Sequence, residues 1–143
     1  MRASSTVTHL DDDLRIAVMR ISRRMRLERG GSDVTDGQLS ALFVLVKHGS
    51  QTLGSLSDFE RVTPPSMSRT VGSLEGDGLV TRTATAEDRR KVLIEITPAG
   101  LAIVQETQLR RAAWFSTALA ALSDEQRDAL DVAAPILREL ADS

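Results

Sequence analysis

The sequence predicts a mainly α-helical domain, α+β in class because one small β-hairpin is set between helices. Three observations predict it. Apolar residues recur at three- and four-residue spacing over most of the 143 residues, the pattern of helices with one buried face. A period-two pattern occurs where Val92, Ile94 and Ile96 alternate with Lys91, Leu93 and Glu95. Helix-start signals led by Thr or Ser stand at Thr35, Thr52, Thr63, Thr97 and Ser123. A chain of this length can bury a real core as one domain, residues 1–143.

The first helix is expected over 8–28, where Leu10, Leu14, Ala17, Val18, Ile21 and Met25 form one stripe. Asp11, Asp12 and Asp13 would then occupy its first turn, where carboxylates complement the helix dipole. RGGSD at 29–33 stops it. Thr35-Asp36-Gly37-Gln38 reads as a capping box opening a helix over 38–47 that buries Leu39, Leu42, Phe43 and Val46, with Gly49 as its end. A short helix follows at 53–61, capped by Thr52, with Leu53, Leu56 and Phe59 apolar.

Thr63-Pro64-Pro65 is a strong start signal, because proline at the first helical position gives up no needed hydrogen bond. That helix runs from Pro64 to Gly76, buries Met67, Val71 and Leu74, and is closed by Gly78. Gly72 inside it costs about 1 kcal/mol relative to Ala. Its other face carries Pro65, Ser66, Ser68, Arg69 and Ser73. The hairpin follows, with strands at 79–83 and 90–96 and a loop holding Glu87, Asp88 and Arg89. Thr97-Pro98 opens a long helix over 98–121, and Ser123-Asp124-Glu125-Gln126 caps a last helix over 124–141 with Leu130, Ile136, Leu137 and Leu140 apolar. Pro135 falls inside that helix and is expected to kink or split it.

Composition removes several classes of function. The chain has no cysteine, which excludes disulfides, thiolate metal sites, a catalytic thiol and a thiol redox switch. Two histidines, His9 and His48, are too few for most zinc sites and are expected at the surface or in caps. No metal, cofactor or catalytic residue is therefore expected. No apolar run approaches a membrane span, and MRASSTVTHLDDD lacks the apolar stretch of a secretory leader, so a cytoplasmic location is expected. The carboxylates Asp11 and Asp12 sit at a helix start, and no Gly-rich phosphate loop appears, so an enzyme is not expected.

Charge is unevenly spread. The net charge is -2, yet residues 61–91 hold six cations against four acids, while 98–143 hold four against seven. Arg89, Arg90 and Lys91 crowd the hairpin tip. Three short helices followed by a hairpin are the parts of a winged helix-turn-helix. In that arrangement the third short helix enters the DNA major groove and the hairpin wing reaches the flanking backbone or minor groove. Phosphates respond to local potential within about 8–10 Å, so a basic wing works on an acidic chain.

Residues 61–100, RVTPPSMSRTVGSLEGDGLVTRTATAEDRRKVLIEITPAG, resemble the DNA-binding half of the MarR family of bacterial transcription regulators. The matching pieces are the helix around Ser66–Arg69, then Leu74-Glu75-x-x-Gly78-Leu79-Val80-x-Arg82, Asp88-Arg89-Arg90, and Ile96-Thr97-Pro98-x-Gly100. The spacing between them agrees as well, and the flanking helices extend the resemblance over nearly the whole chain. The resemblance implies a winged helix-turn-helix at 35–97 and a helical dimerisation region at 1–34 and 98–143. It implies a homodimer that binds double-stranded DNA at a palindromic operator, usually as a repressor, and a small phenolic or anionic effector that releases the DNA. Carried over by position, Pro64, Pro65, Ser66, Ser68 and Arg69 face the major groove or its phosphates. Arg89 enters the minor groove, and Asp88 braces the wing through ion pairs; beside Arg89 in the basic wing tip, Arg90 is expected to join the DNA contact. Pro135 departs from the family pattern and puts the dimer packing in question, and the absence of Cys excludes the thiol-based peroxide-sensing branch.

The plainer readings are distinct. A basic tripeptide at a hairpin tip is often no more than a solvated turn, and Arg90 beside Asp88 could serve the fold by pairing with an acid. Ser66 and Ser68 reach bases or phosphates but specify little, whereas Arg69 can grip guanine with two hydrogen bonds. Phe43, Phe59, Trp114 and Phe115 are expected in the core or a dimer interface, and Arg15, Arg20, Arg23, Arg24 and Arg26 on a solvated helix face. The rival to DNA binding is a winged helix that docks another protein through its hairpin.

Overall fold

Among the described residues, five of the six helices begin at a Thr or Ser whose side-chain oxygen accepts a backbone N–H from the first helical turn. Each such cap stabilises its helix by about 1 kcal/mol. The computed structural model describes residues 2–30 and 33–143. Its elements are α1 (Arg2–Leu27), α2 (Asp36–His48), α3 (Leu53–Glu60), α4 (Pro64–Gly76), β1 (Val80–Ala84), β2 (Val92–Ile96), α5 (Pro98–Ala120) and α6 (Asp124–Asp142). This is the mainly helical, hairpin-bearing order that the sequence predicts. Both capping boxes form, at Thr35 with Gln38 and at Ser123 with Gln126.

Several boundaries or placements differ from expectation, β1 among them, which runs Val80–Ala84 rather than 79–83. α1 begins at Arg2, so Asp11, Asp12 and Asp13 lie past its first turn, and Asp12 instead pairs with Arg15 at 2.7 Å. No Gly or Pro stands between residues 2 and 10 to stop the helix sooner. Of the RGGSD stop, Gly31 and Ser32 lie outside the described residues. α3 ends at Glu60, and Arg61 is not helical but left-handed, with φ 53° and ψ 42°. That conformation costs an ordinary L-residue about 1 kcal/mol. β2 begins at Val92 because Arg90 and Lys91 belong to the turn. α6 runs through Pro135 without a break. Proline removes one N–H, and the carbonyl it leaves open belongs to Asp131, an exposed residue that water can satisfy.

The core lies under α2. Leu39, Ala41, Leu42 and Leu45 meet Leu56 of α3, Met67, Val71 and Leu74 of α4, Val80 and Ile94 of the hairpin, and Val104 of α5. Val46, expected inside, is exposed, and Leu45 takes the core position. Phe59 is 46% exposed and stacks on His48 with ring centroids 4.5 Å apart. Phe43, Trp114 and Phe115 are half-buried rather than central.

β1 and β2 pair antiparallel, with Val80 opposite Ile96 and Ala84 opposite Val92. Gln51 pairs with the outer edge of β2, exchanging backbone hydrogen bonds with Ile94 at 3.1 and 2.7 Å. The segment joining α2 to α3 is thereby fixed to the hairpin. Gln38 does similar work within the helices: its amide donates to Ser73 Oγ at 2.7 Å while its carbonyl accepts the Thr35 N–H at 2.9 Å.

One junction connects α4, the hairpin and α5. Gly78 has φ 73°, and Thr97 Oγ1 donates to its carbonyl at 2.7 Å. Thr97 Oγ1 also accepts the Gly100 N–H at 3.2 Å, and the Thr97 N–H donates to Leu79 O at 3.0 Å. Gly100 packs so closely that a Cβ there would overlap the Leu79 carbonyl and stand 2.8 Å from Ile96 Cγ1. Gly100→Ala is therefore expected to destabilise the protein by about 1–3 kcal/mol through overpacking. Urea unfolding followed by the fluorescence of the single tryptophan, Trp114, measures it; an unchanged midpoint would show that the junction yields freely.

Candidate nucleic-acid interface

The helix-turn-helix is built by α3, the corner at Arg61, and α4. Thr63 caps α4 by accepting the Ser66 N–H at 3.3 Å, and Pro64 and Pro65 fill the first helical positions. Met67, Val71 and Leu74 are buried beneath the helix, which turns Pro65, Arg69 and Gly72 outward. Pro64, Pro65 and Arg69 are exposed, while Ser66 and Ser68 are half-buried at the flanks. Ser73, on the polar face, is engaged by Gln38.

The wing tip is ordered by hydrogen bonds rather than by ion pairs. Thr85 N–H donates to Lys91 O at 2.9 Å, and Lys91 N–H donates to Asp88 O at 3.0 Å. Thr85 Oγ1 donates to Asp88 O at 2.7 Å and accepts the Asp88 N–H at 3.1 Å. The Asp88 carboxylate accepts the Arg90 N–H at 2.9 Å, an Asx turn. Among the described residues Asp88 makes no ion pair, and its carboxylate serves the backbone. Arg89, Arg90 and Lys91 stand exposed around this loop.

Paired and unpaired cations occur in both parts of the molecule, and Arg20, Arg23, Arg26, Arg111 and Arg138 of the flanking helices make no ion pair among the described residues. In the flanking helices, Arg15, Arg24, Arg110 and Arg127 each pair with an acid three or four residues away, and Arg29 pairs with Asp36 at 2.8 Å. In 61–91, Arg82 pairs with Glu75 at 3.6 Å, an exposed contact that ties β1 to the end of α4. Arg61, Arg69, Arg89, Arg90 and Lys91 make no ion pair among the described residues. Five unneutralised cations on a corner, a helix face and an adjoining hairpin tip suit a polyanion. Periodicity did not single out Arg61; its left-handed backbone appears only in three dimensions.

Comparison with known proteins fits this geometry. The MarR family model matches residues 34–92. The chain is 40% identical over 133 residues to the uncharacterised HTH-type transcriptional regulator Mb0904 of Mycobacterium bovis, covering 93% of each chain. The chain belongs to the MarR family. A MarR family protein from Bacillus stearothermophilus has the same fold, with a TM-score of 0.85, 24% identity and 98% of each chain covered. A mutant of MepR from S. aureus, solved bound to an oligodeoxyribonucleotide, superposes with a TM-score of 0.71 at 21% identity, over 92% of this chain and 96% of that one.

The protein is thus a MarR-family transcriptional regulator with a helix-turn-helix for DNA, from a family of regulators rather than enzymes. The motif pieces that carry the resemblance have physical roles in this MarR fold. Glu75 and Arg82 pair across the turn, Gly78 makes the turn, and Thr97 and Gly100 lock it to α5. Among the described residues no helix is long and apolar enough to cross a membrane.

Proposed function

We propose that the protein is a homodimeric repressor that acts in the cytoplasm on a palindromic DNA operator, with residues 35–97 as the DNA-binding region and 1–34 with 98–143 as the dimerisation region. The observation that carries this reading is the gathering of Arg61, Arg69, Arg89, Arg90 and Lys91, exposed and without an ion pair among the described residues, on the helix-turn-helix corner, α4 and the wing tip. In this reading α4 lies in the major groove. Pro64, Pro65, Ser66 and Ser68 approach the groove wall, and Arg69 is the side chain able to take a guanine edge. Arg89 enters the minor groove at the flank, Arg90 meets the backbone, and Asp88 holds the loop that presents them.

Dimerisation is supported by apolar surface that one chain leaves open. α6 buries no residue of its own, and its stripe leaves Ile136 56% and Leu140 57% exposed. On α1, Leu10 is 63% exposed, and Ile16, Met19 and Ile21 are exposed as well. Helices with such stripes gain their stability from a packed partner, and a second copy supplies matching stripes.

Effector release is supported by a cleft of about 220 Å³ between α1, α2 and α5. Arg26, Arg111, Phe43 and Leu39 line it; Asp36 does too, but is neutralised by Arg29. Arg111 lies over the Phe43 ring at 5.5 Å and donates to Met25 O at 3.1 Å. A cation beside an aromatic ring suits a small aromatic anion.

Three outcomes follow. Selection from a random duplex library is expected to enrich an inverted repeat, and Arg89→Ala should weaken binding to that repeat by about 1–3 kcal/mol while the circular dichroism stays unchanged. Unaltered affinity would remove Arg89 from the interface, and affinity indifferent to salt would favour a protein-docking wing. Ile136→Glu should convert a two-chain species into a single chain in sedimentation equilibrium; a dimer that persists would place the interface elsewhere. Salicylate should release the labelled operator at concentrations that leave the unfolding midpoint no lower, and operator binding indifferent to salicylate would count against the cleft.

A further inference from the structure

The helix-turn-helix corner is built on an unsuitable residue. Among the described residues three positions have positive φ: Gly49, Gly78 and Arg61. Glycine takes this conformation without penalty; arginine does not. The corner's own hydrogen bonds need only backbone, since Arg61 N–H donates to Asp58 O at 3.3 Å and Val62 N–H to Ser57 O at 3.1 Å. The side chain is exposed, makes no hydrogen bond or ion pair among the described residues, and contributes nothing to the core. The neighbouring Glu60 carboxylate is occupied by Ser40 Oγ at 2.9 Å. A cation at the end of α3 gains a little from the dipole of an eight-residue helix, an interaction no larger than the backbone cost it offsets. Folding therefore gives no net reason for arginine here, and a residue held in a costly conformation points to function.

We propose that Arg61 is a DNA-backbone contact, its guanidinium pairing with a phosphodiester beside the groove that α4 enters. This rests on the reading that α4 and the wing face DNA. The corner stands two residues before Thr63, which caps α4, and just ahead of exposed Pro64 and Pro65. Its free guanidinium adds an unpaired cation at the N-terminal end of α4 to those on α4 and the wing. A phosphate contact at that end fixes where the helix sits along the duplex without reading sequence. An arginine suits the task because its planar fork matches the geometry of a phosphate.

The test uses the full chain and a labelled mixed-sequence DNA duplex, because phosphate contacts ignore sequence. Arg61→Gly relieves the backbone and removes the charge; Arg61→Asn removes the charge in a residue that tolerates the corner. Both are expected to weaken binding about fivefold at low salt and to reduce the slope of log affinity against log salt by about 1. Arg61→Lys is expected to retain most of the slope. The melting temperature of Arg61→Gly should hold or rise by about 2 °C. Binding by Arg61→Gly and Arg61→Asn that equals the parent's, or weakening with an unchanged salt slope, would overturn the contact. So would weakening in both variants accompanied by a lower melting temperature, which marks a structural role. A parent chain that bound no duplex would instead overturn the DNA-facing reading on which the contact rests.

Discussion

The Thr97 hydroxyl is the point on which the working geometry depends. It donates to the carbonyl of Gly78, which ends the turn after α4, and accepts the N–H of Gly100 in the first turn of α5. The same residue's backbone N–H reaches Leu79, at the start of the hairpin. One side chain thus holds α4, the wing and α5 in a single relation, and the missing Cβ of Gly100 lets them close together. Further along α5, buried Thr107 accepts the Gly30 N–H at 2.8 Å and Arg111 reaches Met25 O. α5 therefore connects the end of α1 to the base of the wing, a continuous physical link between the two ends of the molecule.

Electrostatics acts on this frame locally. The net charge of -2 would suggest indifference to nucleic acid, yet the sum conceals how charges are paired. In α1, α5 and α6, i,i+3 and i,i+4 pairs neutralise Arg15, Arg24, Arg110 and Arg127, each contact adding little stability. Between 61 and 91 the acids are used otherwise. Glu75 holds Arg82, and Asp88 accepts a backbone N–H. The remaining guanidinium and ammonium groups keep their full charge toward solvent. With screening over about 8–10 Å, such local exposure matters more than the total.

Much of the candidate site was legible in the sequence because its signals are short-range. A Thr or Ser cap acts within three residues, so the starts of α2 to α6 could be read from Thr35, Thr52, Thr63, Thr97 and Ser123. Alternation marked β2, and the spacing of Glu75, Gly78, Arg82, Thr97 and Gly100 identified the family before any coordinate did. What the sequence obscured involves competition between partners. Asp88 was expected to brace the wing through ion pairs, and within the loop its carboxylate accepts the Arg90 N–H. Val46 was expected inside, but α2 is covered by α3, α4 and α5 along the arc of Leu42 and Leu45, one step around the helix.

By itself, then, the sequence determined the order of elements, their starting caps, the hairpin and the family, because those depend on hydrogen bonds and periodicity within a few residues. Tertiary structure decided the rest. It carried α6 unbroken through Pro135, where exposure lets water satisfy the open carbonyl, and turned Arg61 out of α3 into a left-handed corner so that α4 could change direction. It also set Gln51 beside Ile94 and Gln38 beside Ser73, contacts between segments far apart in the chain that no local pattern marks.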